Sequence, residues 1–219
     1  MSAGDQKFVT DQAMINGKNN DDENLARYMH MMKDKKKSKP KYNYHGLLPN
    51  IVFNYIKHKT GDQFEKFLED VFQKHVKIEN SVIFFKHKKL PHDGQANSMF
   101  YADRYDYLRI AKAVMDHWNN DTCVGKYLKT VYDRRINKNK KSYDGDRSGQ
   151  FDVAMYTKKY GGQFHFDIIG LSKRKILGMS GFGGQNIIID FEKERIIVVN
   201  ARDRHYNWKK IVLKKLKQK

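Results

Sequence analysis

The segment best suited to chemistry is glycine-rich and runs from Gly178 to Gln185, with the sequence GMSGFGGQ. A glycine within a strand indicates a bulge or the close approach of another group to the backbone, and a substrate is one candidate for that group. A phosphate-binding glycine loop would follow a strand and open a helix. Here the β-branched run Ile187 to Ile189 follows, so the segment opens a strand. This context excludes a dinucleotide site.

Two other kinds of site have little support in the residue types. Cys123 is the only cysteine, which excludes an intrachain disulfide, and it lies in a polar stretch with no activating neighbour. His87, His92 and Asp93 are close in sequence, but they flank a proline turn and lack the helical spacing of zinc-binding histidines. We interpret the histidines as surface residues. The sequence therefore predicts no metal site, no cofactor and no cysteine nucleophile.

The strands that would position the glycine-rich segment form a hairpin. Ile187 to Ile189 and Ile196 to Val199 are apolar runs separated by the charged residues Glu192 to Arg195. Because both runs are apolar on both faces, we expect both strands to be buried and each side of the sheet to be covered. The segment that follows can cover one side, since an apolar stripe recurs at helical spacing among lysines: Trp208, Ile211, Val212 and Leu216.

Helices are predicted to precede this sheet. Pro49 is placed to start a helix that Gly61 ends, and Asp62 is placed to cap the next helix. That next helix carries a stripe expected to face a core: Phe64, Phe67, Leu68, Val71 and Phe72. Further helices are predicted over Asp22 to Met32, from an Asp103 cap to Trp118, and over Val124 to Arg135, and further strands over Val82 to Phe85, Phe151 to Tyr156 and Phe164 to Ile169. The predicted fold class is α+β, an α/β sandwich.

Length and charge set broad limits. The 219 residues suit one domain over 1–219, with a basic loop at 33–41 and a polar loop at 137–150. The net charge of +18 makes a polyanion partner worth testing, but the basic residues, mostly lysines, are scattered along every segment. A membrane-spanning run and a signal peptide are both missing from this sequence, so the compartment stays open.

The glycine-rich segment also carries a resemblance to a known family. Residues 176–190, ILGMSGFGGQNIIID, resemble the third active-site element of the β-lactamase-related serine hydrolases, the group of class C β-lactamases, penicillin-binding proteins and esterases. In that family a Lys/His-Thr/Ser-Gly triplet lies on a strand beside the active site, and Met179-Ser180-Gly181 occupies its place. Residues 44–61 resemble the Tyr-x-Asn motif and the helix that ends in Thr-Gly, and residues 99–112 resemble a Ser/Ala-x-Arg-Asp helix.

The resemblance implies acyl transfer on an ester, amide or lactam. A serine attacks the carbonyl carbon, a lysine and a tyrosine handle its proton, and backbone N–H groups hold the oxyanion. By position, Tyr44 would be the proton-transfer tyrosine, with Tyr42 as the alternative. Met179, Ser180 and Gly181 would line the substrate site, where Ser180 would donate a hydrogen bond and the Phe182 amide would form half of the oxyanion hole.

Three departures from the family pattern stand out. Gly46 stands where the family has asparagine, and Met179 stands where it has a cation. The helix with Ser-x-x-Lys is missing, because the two literal matches, Ser38 to Lys41 and Ser172 to Lys175, lie in a proline-containing charged loop and in a turn.

We therefore expect the C-terminal portion of such a hydrolase, inactive by itself, whose nucleophile lies upstream and whose partner is a small molecule or peptide. Two alternatives remain open. One is a non-catalytic binding derivative of the same fold, which the departures at Gly46 and Met179 favour. The other is a basic nucleic-acid-binding module, whose affinity would fall steeply with salt.

Overall fold

The computed structural model describes Ala26, His30, residues 40–42, Tyr44 and residues 47–80, 83–86, 98–143, 153–181, 183–201 and 205–218. The chain divides into two compact units, Met1–Ala102 and Asp103–Lys219. Helices precede a six-stranded antiparallel sheet, which confirms the predicted α+β class. Ala26 and His30 are helical. The rest of the helix predicted over Asp22 to Met32, and most of the loop at 33–41, lie outside the described residues.

In the first unit, helix α1 spans Leu47–Thr60 and contains Pro49 in its first turn. It ends at Gly61, whose φ of +52° is the left-handed conformation expected of a C-terminal cap. Asp62 does not cap the next helix as predicted, because it lies inside a 3₁₀ turn, Gly61–Gln63, and helix α2 begins at Phe64 and ends at Glu69. A π-helical turn, Asp70–His75, continues α2.

The apolar stripe of this region is only partly a core. Phe64 is buried and lies edge-on to Phe53, with ring centroids 5.3 Å apart, whereas Phe67 is 40% exposed. The π-helical turn interrupts the 3.6-residue period on which the predicted stripe depended. Strands β1, Ile83–Lys86, and β2, Ser98–Tyr101, form an antiparallel pair, so the predicted strand at Val82 to Phe85 is shifted by one residue.

The second unit is built on the antiparallel sheet, whose strands lie in chain order. They are β3 Ile136–Asn137, β4 Thr157–Gly161, β5 Phe164–Ile168, β6 Ile176–Ser180, β7 Asn186–Asp190 and β8 Arg195–Val199. The predicted hairpin is confirmed, since β7 pairs with β8 in a register that sets Ile189 opposite Ile196. β7 is buried throughout, whereas β8 lies at the sheet edge and is only half-buried, which corrects the expectation that both are buried.

The strand predicted over Phe151 to Tyr156 is wrong. The described residues 153–156 form a turn, closed by a hydrogen bond from the Tyr156 amide to the Val153 carbonyl, and β4 begins at Thr157. The Val153 amide donates to Asn186 Oδ1 at 2.8 Å, a long-range bond that fixes the turn against β7. In the region predicted as a polar loop, a 3₁₀ turn spans Lys140–Tyr143.

Two helices cover one face of the sheet. Helix α3, Arg104–Asn119, is capped by Asp103, whose carboxylate accepts from the amides of Tyr105 and Asp106 at 2.7 and 2.8 Å, as predicted. Helix α4, Cys123–Asp133, ends two residues before the predicted boundary. The first core cluster lies between these helices and the sheet; its buried members are Ala111, Met115, Trp118, Leu128, Phe166, Leu177, Ile187, Ile189 and Phe191.

The other face is covered by the C-terminal helical segment, a π-helical turn over Lys209–Leu213 followed by the α-helical turn Lys214–Lys217. Trp208, Val212 and Leu216 are fully buried in a second cluster with Val153, Tyr156, Ile168, Ile176 and Ile188. The sheet is thus covered on both sides, as predicted. Ile211 is 47% exposed and does not belong to the buried stripe, because the wide π-helical turn aligns residues four apart, 208, 212 and 216.

Strand β5 changes face at Asp167. In a regular strand, residues two apart lie on the same face, yet Phe166 belongs to the first cluster and Ile168 to the second. The cause is the φ of +58° at Asp167, a left-handed conformation that aspartate tolerates better than most residues. Its carboxylate is held by Arg135 Nε at 2.9 Å and Lys159 Nζ at 3.2 Å. The β5–β6 ladder pairs only two residues, His165 and Phe166.

Candidate functional site

The candidate site is the C-terminal end of β6, where the sequence placed Met179, Ser180 and Gly181. β6 pairs with β7 as far as Ser180, which lies opposite Asn186. On its other side, β6 pairs with β5 only at Leu177 and Gly178. That register would place Gln163 beside Ser180, but β5 begins at Phe164. β6 therefore extends beyond the start of β5.

This extension leaves backbone groups of Ser180 beyond the ladder. The Gly181 amide donates to the Gln185 carbonyl at 2.9 Å, so the backbone of residue 181 faces β7. Alternate residues of an antiparallel ladder direct their backbone groups to opposite sides. The N–H and C=O of Ser180 therefore face the β5 side, where the described strands form no ladder pair with it. A strand edge of this kind can pair with an extended amide or ester substrate.

The side chains at this end of β6 lie on different faces. Met179 is partly buried and packs against the first core cluster, beneath α3 and α4. Ser180 has the opposite orientation, since successive side chains alternate, and it is partly exposed. The family's triplet has a cation at the position of Met179. Here a thioether fills that position and supplies neither positive charge nor a donor.

The glycines of the segment have packing roles. A Cβ at Gly178 would lie 2.4 Å from Val153 Cγ2, so the group that approaches this backbone is the Val153 side chain. This corrects the expectation of a substrate at that glycine. At Gly181 and Gly183, a Cβ would lie 2.7 and 2.6 Å from the Gln185 side chain. Gln185 in turn accepts from the Gly183 amide and donates to the Ala201 carbonyl, both at 2.9 Å, which fixes the turn.

The two candidate tyrosines belong to the first unit. Tyr44 is 61% exposed. Tyr42 is partly buried, and burial, followed by the neighbouring Tyr44, raises the pKa of its phenol to about 12. A general base works best with a pKa near the operating pH, so this shift opposes a proton-accepting role for Tyr42. Phe182 and Gly46, the other positions that the family pattern singles out, lie outside the described residues.

Of the two literal Ser-x-x-Lys matches, the structure describes only Ser172 to Lys175 in full, and it does not form the required helix. Ser172 is exposed in the turn between β5 and β6, and its hydroxyl donates to the Ile168 carbonyl at 3.4 Å. This confirms the interpretation that Ser172 to Lys175 lies in a turn. Ser38 falls outside the described residues.

Sequence reasoning missed one amine–hydroxyl pair. Lys138 Nζ lies 3.3 Å from Thr157 Oγ1, and both side chains are buried. The Thr157 hydroxyl donates to the Val153 carbonyl at 2.7 Å, so its proton is already engaged in a hydrogen bond. Thr157 is 0% exposed. Burial, and then the charge of Lys138, lower the pKa of His165 well below its usual value. We interpret the pair as structural, because a substrate cannot reach it. Lys138 follows a strand of only two residues, and no sequence pattern there predicts its contact with Thr157.

Metal and membrane sites find no support in the part of the chain that is described. Its histidine, cysteine, aspartate and glutamate side chains form no group of three or more that could hold a metal ion. Its helices are too short or too polar to cross a membrane. Comparison of the chain with family models, with curated proteins and with solved structures gives no match.

Proposed function

We propose that this chain supplies the substrate-binding strand of a β-lactamase-related serine hydrolase, which acts on ester, amide or lactam bonds through an acyl-enzyme. The observation that carries the proposal is the extension of β6 beyond β5. The backbone groups of Ser180 face the side where β5 forms no ladder pair with it, and the resemblance places the middle residue of the family's triplet at Ser180.

The chemistry assigns three tasks to this strand. An acyl substrate pairs with the β6 edge, so that its carbonyl carbon faces the attacking serine hydroxyl, which lies outside these 219 residues. Backbone N–H groups at the strand end then stabilise the oxyanion that forms when the serine oxygen bonds to that carbon. The Ser180 hydroxyl donates a hydrogen bond to the substrate. Because β6 lies between two buried clusters, these donors are held rigidly before the substrate arrives.

The layer arrangement also supports this proposal. The resemblance implies a helical region bracketed by an antiparallel sheet, most of which comes from the C-terminal third of the chain. The second unit has an antiparallel sheet, with α3 and α4 on one face and the C-terminal helical segment on the other.

A second candidate is a binding protein that keeps the strand edge but not turnover. Met179 favours it, because a core-packed thioether replaces the cation that would assist acyl transfer. The raised pKa of Tyr42 points the same way. In this case the extended end of β6 would still pair with an amide or ester ligand.

The test is a titration of the ¹⁵N-labelled chain with benzylpenicillin and with a dipeptide ester, followed by amide resonances. We expect the largest shifts at Met179, Ser180 and Gly181, and about fivefold weaker binding in Ser180→Ala, the equivalent of about 1 kcal/mol for one hydrogen bond. Ser172→Ala is the matched control, since Ser172 is also a turn-proximal serine of the same unit, and should bind as the wild type does. Shifts confined to other segments would refute the proposal.

A covalent probe gives a second test. A fluorophosphonate should leave the isolated 219-residue chain unlabelled, because the proposal places the nucleophile elsewhere. Stoichiometric labelling of any serine in the chain, Ser172 and Ser180 included, would show that the nucleophile is present and that the assignment is wrong.

A further inference from the structure

The outer face of the C-terminal helical segment concentrates positive charge. Residues 208–218 contain five lysines and no aspartate or glutamate, and all five lysines are exposed. Trp208, Val212 and Leu216 are fully buried in the second cluster, so the segment cannot rotate its charges away from solvent. The lysines of this segment are thus held at the exposed surface of a fixed element.

The turn before β6 adds to this charge. Lys173 and Lys175 are exposed there. Between them, Arg174 Nη1 donates to the Leu216 carbonyl at 2.6 Å, which ties the turn to the end of the helical segment. Arg195 Nη1 donates to the carbonyls of Lys215 and Gln218. The two guanidinium groups donate hydrogen bonds to the last carbonyls of the helical segment. Their positive charge also interacts favourably with the negative end of the helix dipole.

Little negative charge opposes these cations among the described residues of this region. Asp190 is fully buried and forms an ion pair with Arg174. Glu192 is exposed, and its carboxylate accepts from the Lys175 amide at 3.3 Å. We define the lysine face as Lys173, Lys175, Lys210, Lys214, Lys215 and Lys217.

The apolar content of this surface decides which polyanion fits. Ile211 is the one large aliphatic of the helical segment that is strongly exposed, and its aromatic residue, Trp208, is buried. A membrane-surface helix inserts its apolar face into lipid, but here that face is occupied by the sheet. Binding of single-stranded nucleic acid relies on exposed aromatics that stack on bases, which this segment lacks. What remains is a row of point charges suited to phosphates.

We propose that the lysine face binds the phosphodiester backbone of double-stranded nucleic acid without reading its sequence. The nine residues Lys209–Lys217 span at most about 14 Å, taking the α-helical rise of 1.5 Å per residue, which is roughly the length of four base pairs of duplex. Six phosphate contacts give a slope of log K against log salt of about −5, and the affinity falls on the order of a thousandfold between 50 and 200 mM salt. This site is independent of the β6 edge.

The experiment measures binding of the full chain to a fluorescein-labelled random duplex of about thirty base pairs over a salt series. The variant carries Lys210→Gln, Lys214→Gln, Lys215→Gln and Lys217→Gln. The control carries Lys126→Gln, Lys140→Gln, Lys141→Gln and Lys158→Gln, four exposed lysines elsewhere in the same unit with the same loss of charge. We expect the variant to lower the magnitude of the salt slope by about four, and the control by less than about one.

The outcomes distinguish binding by the lysine face from binding caused by the net positive charge of the whole chain. Equal losses in the variant and the control would overturn the proposal, because net charge alone would then explain the binding. Binding that does not change with salt would also overturn it, and so would stronger binding to vesicles of phosphatidylglycerol than to the duplex. Tryptophan fluorescence checks that each protein is folded. Should the fourfold variant be misfolded, Lys210→Gln with Lys214→Gln gives the same test, with an expected slope change of about two.

Discussion

Acid should destabilise the second unit through His165. Contrary to the interpretation of the histidines as surface residues, this side chain is 4% exposed. Its ring lies edge-on to Tyr160 at 4.9 Å, and its Nδ1 has no hydrogen-bond partner among the described residues. Burial, and then the charge of Lys138, hold the pKa of the folded state well below the usual value of 6.5. Below pH 6.5 the unfolded chain therefore binds a proton that the folded chain does not. The stabilisation is complete above pH 6.5 and is lost as the pH falls toward the folded pKa.

The size of the effect follows from the linkage relation. One proton contributes at most about 1.4 kcal/mol of unfolding free energy per pH unit, so lowering the pH from 6.5 to 5.0 costs up to about 2 kcal/mol through this histidine. Urea unfolding followed by tryptophan fluorescence measures it, because Trp118 and Trp208 are the only tryptophans and both lie in the second unit. Carboxylates that titrate in this range are common to the wild type and the variant.

The comparison uses His165→Leu, with His58→Gln, a change at an exposed histidine, as the control. Over this pH range the wild type should lose up to about 2 kcal/mol more than His165→Leu, and His58→Gln should follow the wild type. The difference in pH dependence is the readout, so a change in stability caused by leucine itself does not affect it. If His165→Leu were as acid-sensitive as the wild type, the buried neutral histidine would be refuted.

Three further pairs of substitutions test the packing of the second unit. Gly178→Ala should destabilise the second unit by about 1–3 kcal/mol by overpacking, and adding Val153→Ala should recover part of that loss. If the losses of unfolding free energy from the two substitutions were simply additive in the double mutant, the contact would be contradicted. Asp167→Ala should cost about 3–5 kcal/mol by removing the carboxylate that pairs with Arg135 and Lys159. Asp167→Gly should cost less, since glycine keeps the left-handed backbone, and equal losses would show that the conformation contributes nothing. In urea unfolding, Ile211→Ala should change stability by at most about 0.5 kcal/mol, and Val212→Ala should lower it by about 1–3 kcal/mol. A larger loss for Ile211→Ala than for Val212→Ala would contradict the π-helical register.

Local signals predicted much of the fold. The hairpin of β7 and β8 follows from two β-branched runs around a charged turn, and the start of α3 follows from the carboxylate of Asp103. Gly61 ends α1 because a left-handed residue is needed there. Each of these features depends on residues within a few positions of one another, which is what a single sequence records well.

The errors arise where distant residues decide the structure. Residues 153–156 have the sequence pattern of a strand. They form a turn that is held by Asn186, more than thirty residues away, which accepts a hydrogen bond from the Val153 amide. The change of face at Asp167 depends on Arg135 and Lys159, which hold its carboxylate from other elements. The exposure of Ile211 depends on a π-helical turn that residue spacing cannot distinguish from an α-helix.

The candidate site also combines features that the sequence predicted with features that distant residues decide. The resemblance placed Met179, Ser180 and Gly181 on a strand; Met179 and Ser180 end β6, and Gly181 lies just beyond it. The lack of a β5 ladder partner for Ser180 depends on the register of β5 against β6, and the core packing of Met179 depends on α3 and α4. The packing role of Gly178 comes from Val153, a contact that no pattern of glycines reveals.

The most direct measurement of the proposed hydrolase is covalent labelling of the native protein from its source cells, with mapping of the labelled peptide and an intact mass. The account predicts a fluorophosphonate or penicillin adduct on one serine, followed three residues later by lysine, in a peptide outside these 219 residues, and a mass above 25.9 kDa. An unlabelled native protein of 25.9 kDa, or an adduct on a serine within these residues, would contradict it.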